Sequence, residues 1–503
     1  MKKLQQHWFC SFGFFLILVF TTIHGEAQPK TSFTWSKFQT VSEYSQCVFL
    51  FKHNQGYGSI VRKGVSLKVN LYDNDLKYKE GHRFRLLKNR ERILEIWQHN
   101  NEVFMLTQVD LVNQRLALRL RKINLYDLKT ASDYQDIQLV NKSRFSRNLS
   151  FHLSRKDSSI NIWHPNTQET ENASPTITAS IYSYAMLPLD KAIIELPGKA
   201  ELTEILRVDD VDKGNFLIYT KEFEIRAIEK RGFAPNYKFV FYLVNPGKSG
   251  IKSLTFKDEN LYLERGRLKW DNGILEGTGL FTEKTDGPKL GIWYVQYNFN
   301  ESKLLKDTIQ YFSKPIRSLP NNGFQSTLMR HSRLESFYID FFVKADSGKR
   351  VIVTEQFFLL PAAIGASYTY NRFYGDILVL YMNEKSEIYN AHRLIKAQQT
   401  YNNLGEFSSY YLERKDSTLM FFYNDNHKNK NSGKFRHLVW HKHSELTMAI
   451  VNPHAVIKYP LVNYKTTEGI LQVRDMRKLS PNEYLVYARK KKRSKIGILK
   501  IDY

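Results

Sequence analysis

Three histidines, His437, His441 and His443, share the run His437-Leu438-Val439-Trp440-His441-Lys442-His443. In an extended strand alternate residues face the same way, so this spacing would put all three imidazoles on one side. Imidazoles so placed could chelate a transition metal, with His427 in the facing hairpin to complete the set. The only carboxylate nearby is Glu445, and a solvent-facing strand side is polar by default, so the expectation is no metal and no cofactor. If a metal binds, His437, His441 and His443 are its candidates. Glu355 and Asp376 fall at the ends of expected strands, where a channel or loop face would let them work as acid and base. Glycosidases and polysaccharide lyases use carboxylates with tyrosines and basic groups in this way. A chain with 14% aromatic residues also brings such groups together by chance, so no catalytic residue is assigned and an enzyme is the second reading.

Other motifs fail on particular residues. Gly247-Lys248-Ser249 resembles the end of a phosphate-binding loop, but Tyr242 stands where the first glycine is needed. Asp210-Val211-Asp212-Lys213-Gly214 begins like a calcium loop, yet Gly214 takes the place of an oxygen ligand and no Glu completes it. Neither a nucleophile elbow nor a paired-histidine zinc helix occurs. Two basic tracts remain as candidates for anion binding: Lys428, Lys430, Lys434 and Arg436 in one hairpin, and Arg489, Lys490, Lys491, Lys492 and Arg493 in the next. The second lies between apolar strands and reads as a hairpin tip, so the two tracts form one patch if their hairpins are neighbours.

The elements that must position these residues are strands. Val69-Asn70-Leu71-Tyr72-Asp73 and Ile123-Asn124-Leu125-Tyr126-Asp127 are nearly one sentence written twice, which marks an internal repeat. With 30 Tyr and 33 Phe, and apolar residues in short bursts, the chain favours β structure. After the unit at Gly64 to Asp75, alternation pairs Asn101–Leu106 with Leu116–Leu120, Ser159–Trp163 with Ile177–Tyr182, and Gly214–Tyr219 with Phe239–Leu243. It continues with Asn272–Gly279 and Gly291–Val295, Arg350–Glu355 and Asp376–Tyr381, Thr418–Phe422 and His437–Trp440, and Glu483–Tyr487 with Ile496–Ile501. These hairpins recur at roughly 60 residues, longer than the roughly 40 to 50 of familiar propeller repeats. The expectation is an all-β fold, a β-propeller of seven or eight four-stranded antiparallel blades, because a ring leaves only short protected edges. Two tandem β-sandwiches are the rival, with Lys314 to Gly323 as the candidate linker. The propeller reading makes that stretch an excursion between blades.

Lys2 and Lys3, the apolar run Trp8–Ile23 and the exit Gly25-Glu26-Ala27 read as a signal peptide over 1–27, leaving 28–503 as one propeller domain. The apolar run is shorter than the roughly 18 residues of a membrane span. Its removal takes Cys10 and leaves Cys47 as the one thiol, so no intrachain disulfide is possible and stability must come from burial. The whole chain carries +24, and the first 27 residues hold Lys2, Lys3 and Glu26, net +1, so the mature chain carries +23. A field of that sign favours polyanions; export disfavours nucleic acid and leaves an envelope glycan or protein as partner.

The unit Gly277-Thr278-Gly279 to Gly291-Ile292-Trp293-Tyr294, the Glu355-Gln356 strand end and Tyr423-Asn424-Asp425-Asn426 resemble secreted bacterial β-propeller-like proteins of unknown function. The resemblance implies a repeat fold exported to the periplasm or outer-membrane surface of a Gram-negative cell, and no reaction. The expected function is a secreted cell-envelope binding or scaffold propeller for an anionic polymer or protein, as monomer or complex subunit; the alternative is a hydrolase or lyase acting on acidic polysaccharide.

Overall fold

The computed structural model describes residues 29–41, 45–86, 91–111, 115–126, 128, 134–141, 152–155, 159–165, 173–211, 214–225, 228–231, 234–245, 250–285, 287–317, 336–345, 348–364, 367–401, 405–415, 417–430, 436, 438–439 and 441–502. The expected signal peptide therefore lies outside the described residues.

Each apolar burst becomes a strand, and the strands assemble into an eight-bladed β-propeller of four-stranded antiparallel sheets. The central hairpins of blades 1 to 4 are Gly56–Lys63 with Ser66–Tyr72, Glu102–Asp110 with Arg115–Asn124, Ser159–Pro165 with Thr176–Ser183, and Phe216–Phe223 with Tyr237–Val244. Blades 5 to 8 follow with Ile274–Thr282 and Gly291–Asn298, Arg350–Ile364 and Ser367–Met382, Thr418–Asn426 and Ser444–Val451, and Glu483–Lys490 and Arg493–Asp502. The two near-identical pentapeptides fall at the ends of the third strands of blades 1 and 2, so the internal repeat is the blade itself. A ring of this kind replaces the tandem-sandwich alternative; of the candidate linker, Lys314–Arg317 forms one helical turn and the rest lies outside the described residues.

Six of the seven strand pairs expected from alternation are present, with Leu106 opposite Leu120, Ile162 opposite Ser180 and Gly279 opposite Trp293 among them. The seventh is corrected. Thr418–Asn426 pairs with Ser444–Val451, Phe422 opposite Met448 and Asp425 opposite Glu445. His437–Trp440 offers Leu438, Val439 and Trp440 in succession, whereas Leu446, Met448, Ala449 and Val451 are buried along the true partner. The segment between is a connection containing single helical turns at His427–Lys430 and His441–His443.

The last blade takes its outer strand from the other end of the chain. Lys30–Trp35 pairs with Arg493–Asp502, Phe33 opposite Leu499 and Trp35 opposite Gly497. This closes the ring and protects what would otherwise be an open edge. Between blades the core is aromatic: Tyr219, Phe239, Phe241 and Trp293 join blades 4 and 5, and Phe422 packs against Tyr484 between blades 7 and 8. Cys47 is fully buried among Leu50, Val61, Tyr487 and Ile496 where blade 8 meets blade 1. Burial holds its thiol well above the ordinary range, so it packs as a small hydrophobe.

Candidate functional site

In an antiparallel blade the start of the first strand, the end of the second and the start of the third lie on one face of the ring. On that face a cleft of about 570 Å³ opens where blades 4, 5 and 6 meet. The first strand of blade 5 is broken there into Tyr262–Leu263 and Arg267–Asp271, both paired to Ile274–Thr282. Glu264, Arg265 and Gly266 fill the break and line the cleft with Arg267. The break needs a glycine, because a Cβ on Gly266 would stand 2.1 Å from Thr278 O and 2.5 Å from Trp293 Cζ2. Trp293 Nε1 donates to Glu264 O at 3.0 Å, so the blade 5 indole fixes the backbone of the cleft wall.

The charges in the cleft are unequally compensated. The Lys289 ammonium donates to Glu264, and Lys221 donates to Glu229 at 2.5 Å while lying over the Tyr237 ring at 3.9 Å. Burial raises the Glu264 carboxyl above its ordinary range and Glu229 adds to the rise, with Lys289 and Lys221 opposing it. Tyr237 donates to Leu263 O at 2.7 Å. Arg265 and Arg267 donate to the carbonyl oxygens of Leu206 and Ile339, the latter at 3.0 Å, and both are exposed. Among the described residues neither guanidinium has a carboxylate oxygen within salt-bridge distance. Two forked cations bordered by Tyr262 and Tyr338 form a site suited to a carboxylate, sulfate or phosphate group.

Glu355 and Asp376 lie beside each other on the second and third strands of blade 6, within those strands and not at their ends. Lys396 Nζ donates to Glu355 Oε1 at 2.6 Å, and Lys396 N to Asp376 Oδ1 at 3.0 Å. Arg393 Nε donates to Asp376 Oδ2 at 2.8 Å, and Ser409 Oγ to Glu355 Oε2 at 2.7 Å. Both carboxylates are buried, so the pair ties blade 6 to blade 7. Asn424 has a similar place: its Nδ2 donates to Phe407 O at 2.9 Å and Leu471 O at 2.7 Å. Nearer the axis, Asp340 accepts from Tyr410 Oη at 2.8 Å. Burial and the Glu355 charge push its carboxyl up to about 6.

The histidine cluster does not share a strand face, because His441–His443 is a helical turn; His437 lies outside the described residues. His441 packs edge-on against Phe407, and burial with the Arg489 charge pushes it down to about 4, so it is neutral. His427 Nδ1 lies 3.0 Å from the His443 carbonyl oxygen. Among the described residues no group of three or more side chains is arranged to hold a metal. The two basic tracts connect second to third strands of blades 7 and 8, neighbours in the ring, and so occupy one face. Lys428, Arg436, Lys491, Lys492 and Arg493 are exposed and Lys490 half-buried, while Lys434 lies outside the described residues. Arg489 instead pairs with buried Glu406 at 2.7 Å and covers the Phe407 ring at 4.8 Å. The cleft residues Glu264, Arg265 and Arg267 escaped sequence reading; their signal was the charged run around Gly266, which interrupts rather than extends alternation.

No protein-family model matches the chain, and no curated protein does. Among solved structures it is similar to one of two prolyl endopeptidases at 7% identity and TM-score 0.35, over 82% of this chain and 55% of that one. The chain thus spans about half the length of that protein. The WD40 domain of SCAP from fission yeast is 8% identical with TM-score 0.37, over 93% of this chain and 98% of that one. The polysaccharide lyase Uly1 is 9% identical with TM-score 0.36, over 93% and 99%.

Proposed function

We propose that the chain is an exported propeller of the cell envelope that binds an anionic polymer, an acidic glycan in class, across the cleft between blades 4, 5 and 6. The observation that carries this reading is the pair Arg265 and Arg267, which donate to carbonyl oxygens and form no ion pair among the described residues, beside Glu264 and Glu229, which Lys289 and Lys221 pair with. A +24 chain adds long-range attraction to the same ligand class. Removal of residues 1–27 would leave a +23 protein whose 28–503 form one domain, working in the periplasm or at the outer-membrane surface of a Gram-negative cell. The test is calorimetric titration of the mature protein with acidic and neutral glycans over a salt series. Saturable binding of the acidic series that Arg265→Gln weakens about tenfold supports the reading; equal affinity for neutral glycans overturns it.

A second reading rests on Glu264, a half-buried carboxyl with a raised pKa near Glu229, Tyr237 and Tyr338. A carboxyl raised above its ordinary range by burial suits a general acid. Under this reading the bound polysaccharide is shortened, and Glu264→Gln stops the shortening while binding persists. Intact polymer after prolonged incubation rejects it.

A further inference from the structure

The central hairpin of blade 6 is far longer than the others. Arg350–Ile364 and Ser367–Met382 stay paired from Arg350 opposite Met382 out to Ile364 opposite Ser367. The inner neighbour, Phe337–Lys344, leaves this ladder at Gln356, and Gln398–Tyr401 follows it only from Tyr374 to Asn371. Beyond Leu360 opposite Asn371, the two strands therefore pair only with each other among the described residues. Counted from Phe357, the arm is roughly 25 Å long at the usual rise per residue. It leaves the sheet at a bulge between Glu355 and Phe357, where Gly375 packs against Gln356 too closely to admit a Cβ, 2.4 Å from Oε1.

From Phe357 to Asn371 the arm holds no Asp, Glu, Lys, Arg or His, in a chain that is 25% charged. It reads Phe-Phe-Leu-Leu-Pro-Ala-Ala-Ile-Gly-Ala-Ser-Tyr-Thr-Tyr-Asn. At its root Phe358 stacks on Phe373 with centroids 4.9 Å apart, and Leu359 is 46% exposed. The flank of the arm has the opposite character. Gln398–Tyr401, paired to the root, is joined in turn to the blade 7 connection: Gln399 N donates to Leu438 O at 3.1 Å and Leu438 N to Ala397 O at 2.9 Å. Among its described side chains that connection holds Lys428, Arg436 and Lys442, and the corresponding connection of blade 8, the next blade in the ring, adds Lys490 to Arg493.

We propose that the blade 6 arm and the basic connections of blades 7 and 8 form one docking surface for a bilayer that carries anionic lipids. An uncharged, aromatic-rich projection with cations around its root supplies the two signals that stable attachment requires, apolar insertion and attraction to headgroups. A soluble polyanion would use the cations and leave the arm idle. The arm lies on the same face as the cleft, so docking turns the cleft toward the membrane. The surface is separate from the cleft, and Arg265→Gln leaves it intact.

The test is co-sedimentation of the mature protein with vesicles of phosphatidylcholine alone or mixed with phosphatidylglycerol. Binding is expected to the mixed vesicles only, and lost both in Leu359→Glu and in the triple variant Lys428→Glu, Arg436→Glu, Lys442→Glu. Leu359→Cys, labelled with an environment-sensitive dye, provides a readout that tolerates changes in stability, since buried Cys47 will not react. Its emission should shift to the blue on mixed vesicles. Sedimentation without a dye shift, or unchanged in Leu359→Glu, reduces the contact to headgroup attraction and overturns the proposal. So does self-association without vesicles that Leu359→Glu dissolves, which would seat the arm on a second copy.

Discussion

The ammonium of Lys396 lies 2.6 Å from Glu355 Oε1 with its side chain wholly out of solvent and that of Glu355 8% exposed. A buried pair of this kind is costly to break from one side, because the partner stays buried without its counter-charge. Lys396→Met should lower stability by about 3–5 kcal/mol, read as a fall in the urea midpoint. The double variant Lys396→Met, Glu355→Gln should recover most of that loss. A single variant as stable as the parent would mean that water reaches Glu355.

Asp340 gives the fold a pH dependence of opposite sign to an ordinary paired carboxylate. Its folded pKa of about 6 lies above the ordinary 3.8, so between those values the folded state binds the proton that the unfolded state releases. Stability on this account is present at low pH, falls as pH rises through that window, and stays reduced above it. Asp340→Asn keeps an acceptor for Tyr410 and removes the charge. Its melting temperature should exceed the parent's at pH 7.5 and converge with it near pH 4; a constant offset across the series would assign the effect to packing.

Gly279 couples fold to cleft. A Cβ there would stand 2.2 Å from Trp293 Nε1 and 2.7 Å from Glu264 O. Gly279→Ala must push the indole off the carbonyl it holds, an overpacking cost of about 1–3 kcal/mol. Stability and glycan affinity should fall together in this variant. Affinity unchanged at reduced stability would place the ligand away from Glu264.

Arg265→Gln separates those effects. The amide retains a donor for Leu206 O while the positive charge is lost, so stability should hold. Affinity for an acidic glycan should fall about tenfold, the size of one charge-assisted hydrogen bond, and the salt dependence of binding should flatten.

What the sequence disclosed follows from what alternation can carry. The central hairpins were legible because both strands are apolar on the faces that meet neighbouring blades, as Ile162 and Ile177 are. Some innermost strands were not, since in blade 5 that strand is broken at Glu264 to Gly266 and in blades 3 and 7 it spans only His152–Arg155 and Tyr411–Lys415. The connection at 427–443 imitated a strand through Leu438 and Val439, and its histidines went with that misreading. Glu355 and Asp376 were legible as members of paired strands, but neither their separation nor their ion pairing was, because Lys396 reaches them from the connection that follows the blade. Lys30–Trp35 could not be assigned from local pattern at all; its partner is at the far end of the chain.

That closure is the part of the fold most open to direct attack. Trp35 lies against Gly497, where a Cβ would come within 2.3 Å of its Cε3, stacks on Phe33 at 5.0 Å, and receives the Lys495 ammonium over its ring at 4.3 Å. Deleting 30–35 removes these contacts and leaves Arg493–Asp502 as an unpaired edge, a template for other chains. The deleted protein should elute as aggregate in size-exclusion chromatography and unfold at a lower temperature, while removal of 1–27 leaves the strand whole and the protein dispersed. Gly497→Val, which displaces Trp35 without exposing the strand's hydrogen bonds, should lower the melting temperature with less aggregation. If the deletion stays dispersed with the parent's melting temperature, the ring is held by contacts between blades alone, and the terminal strand is an ornament on blade 8.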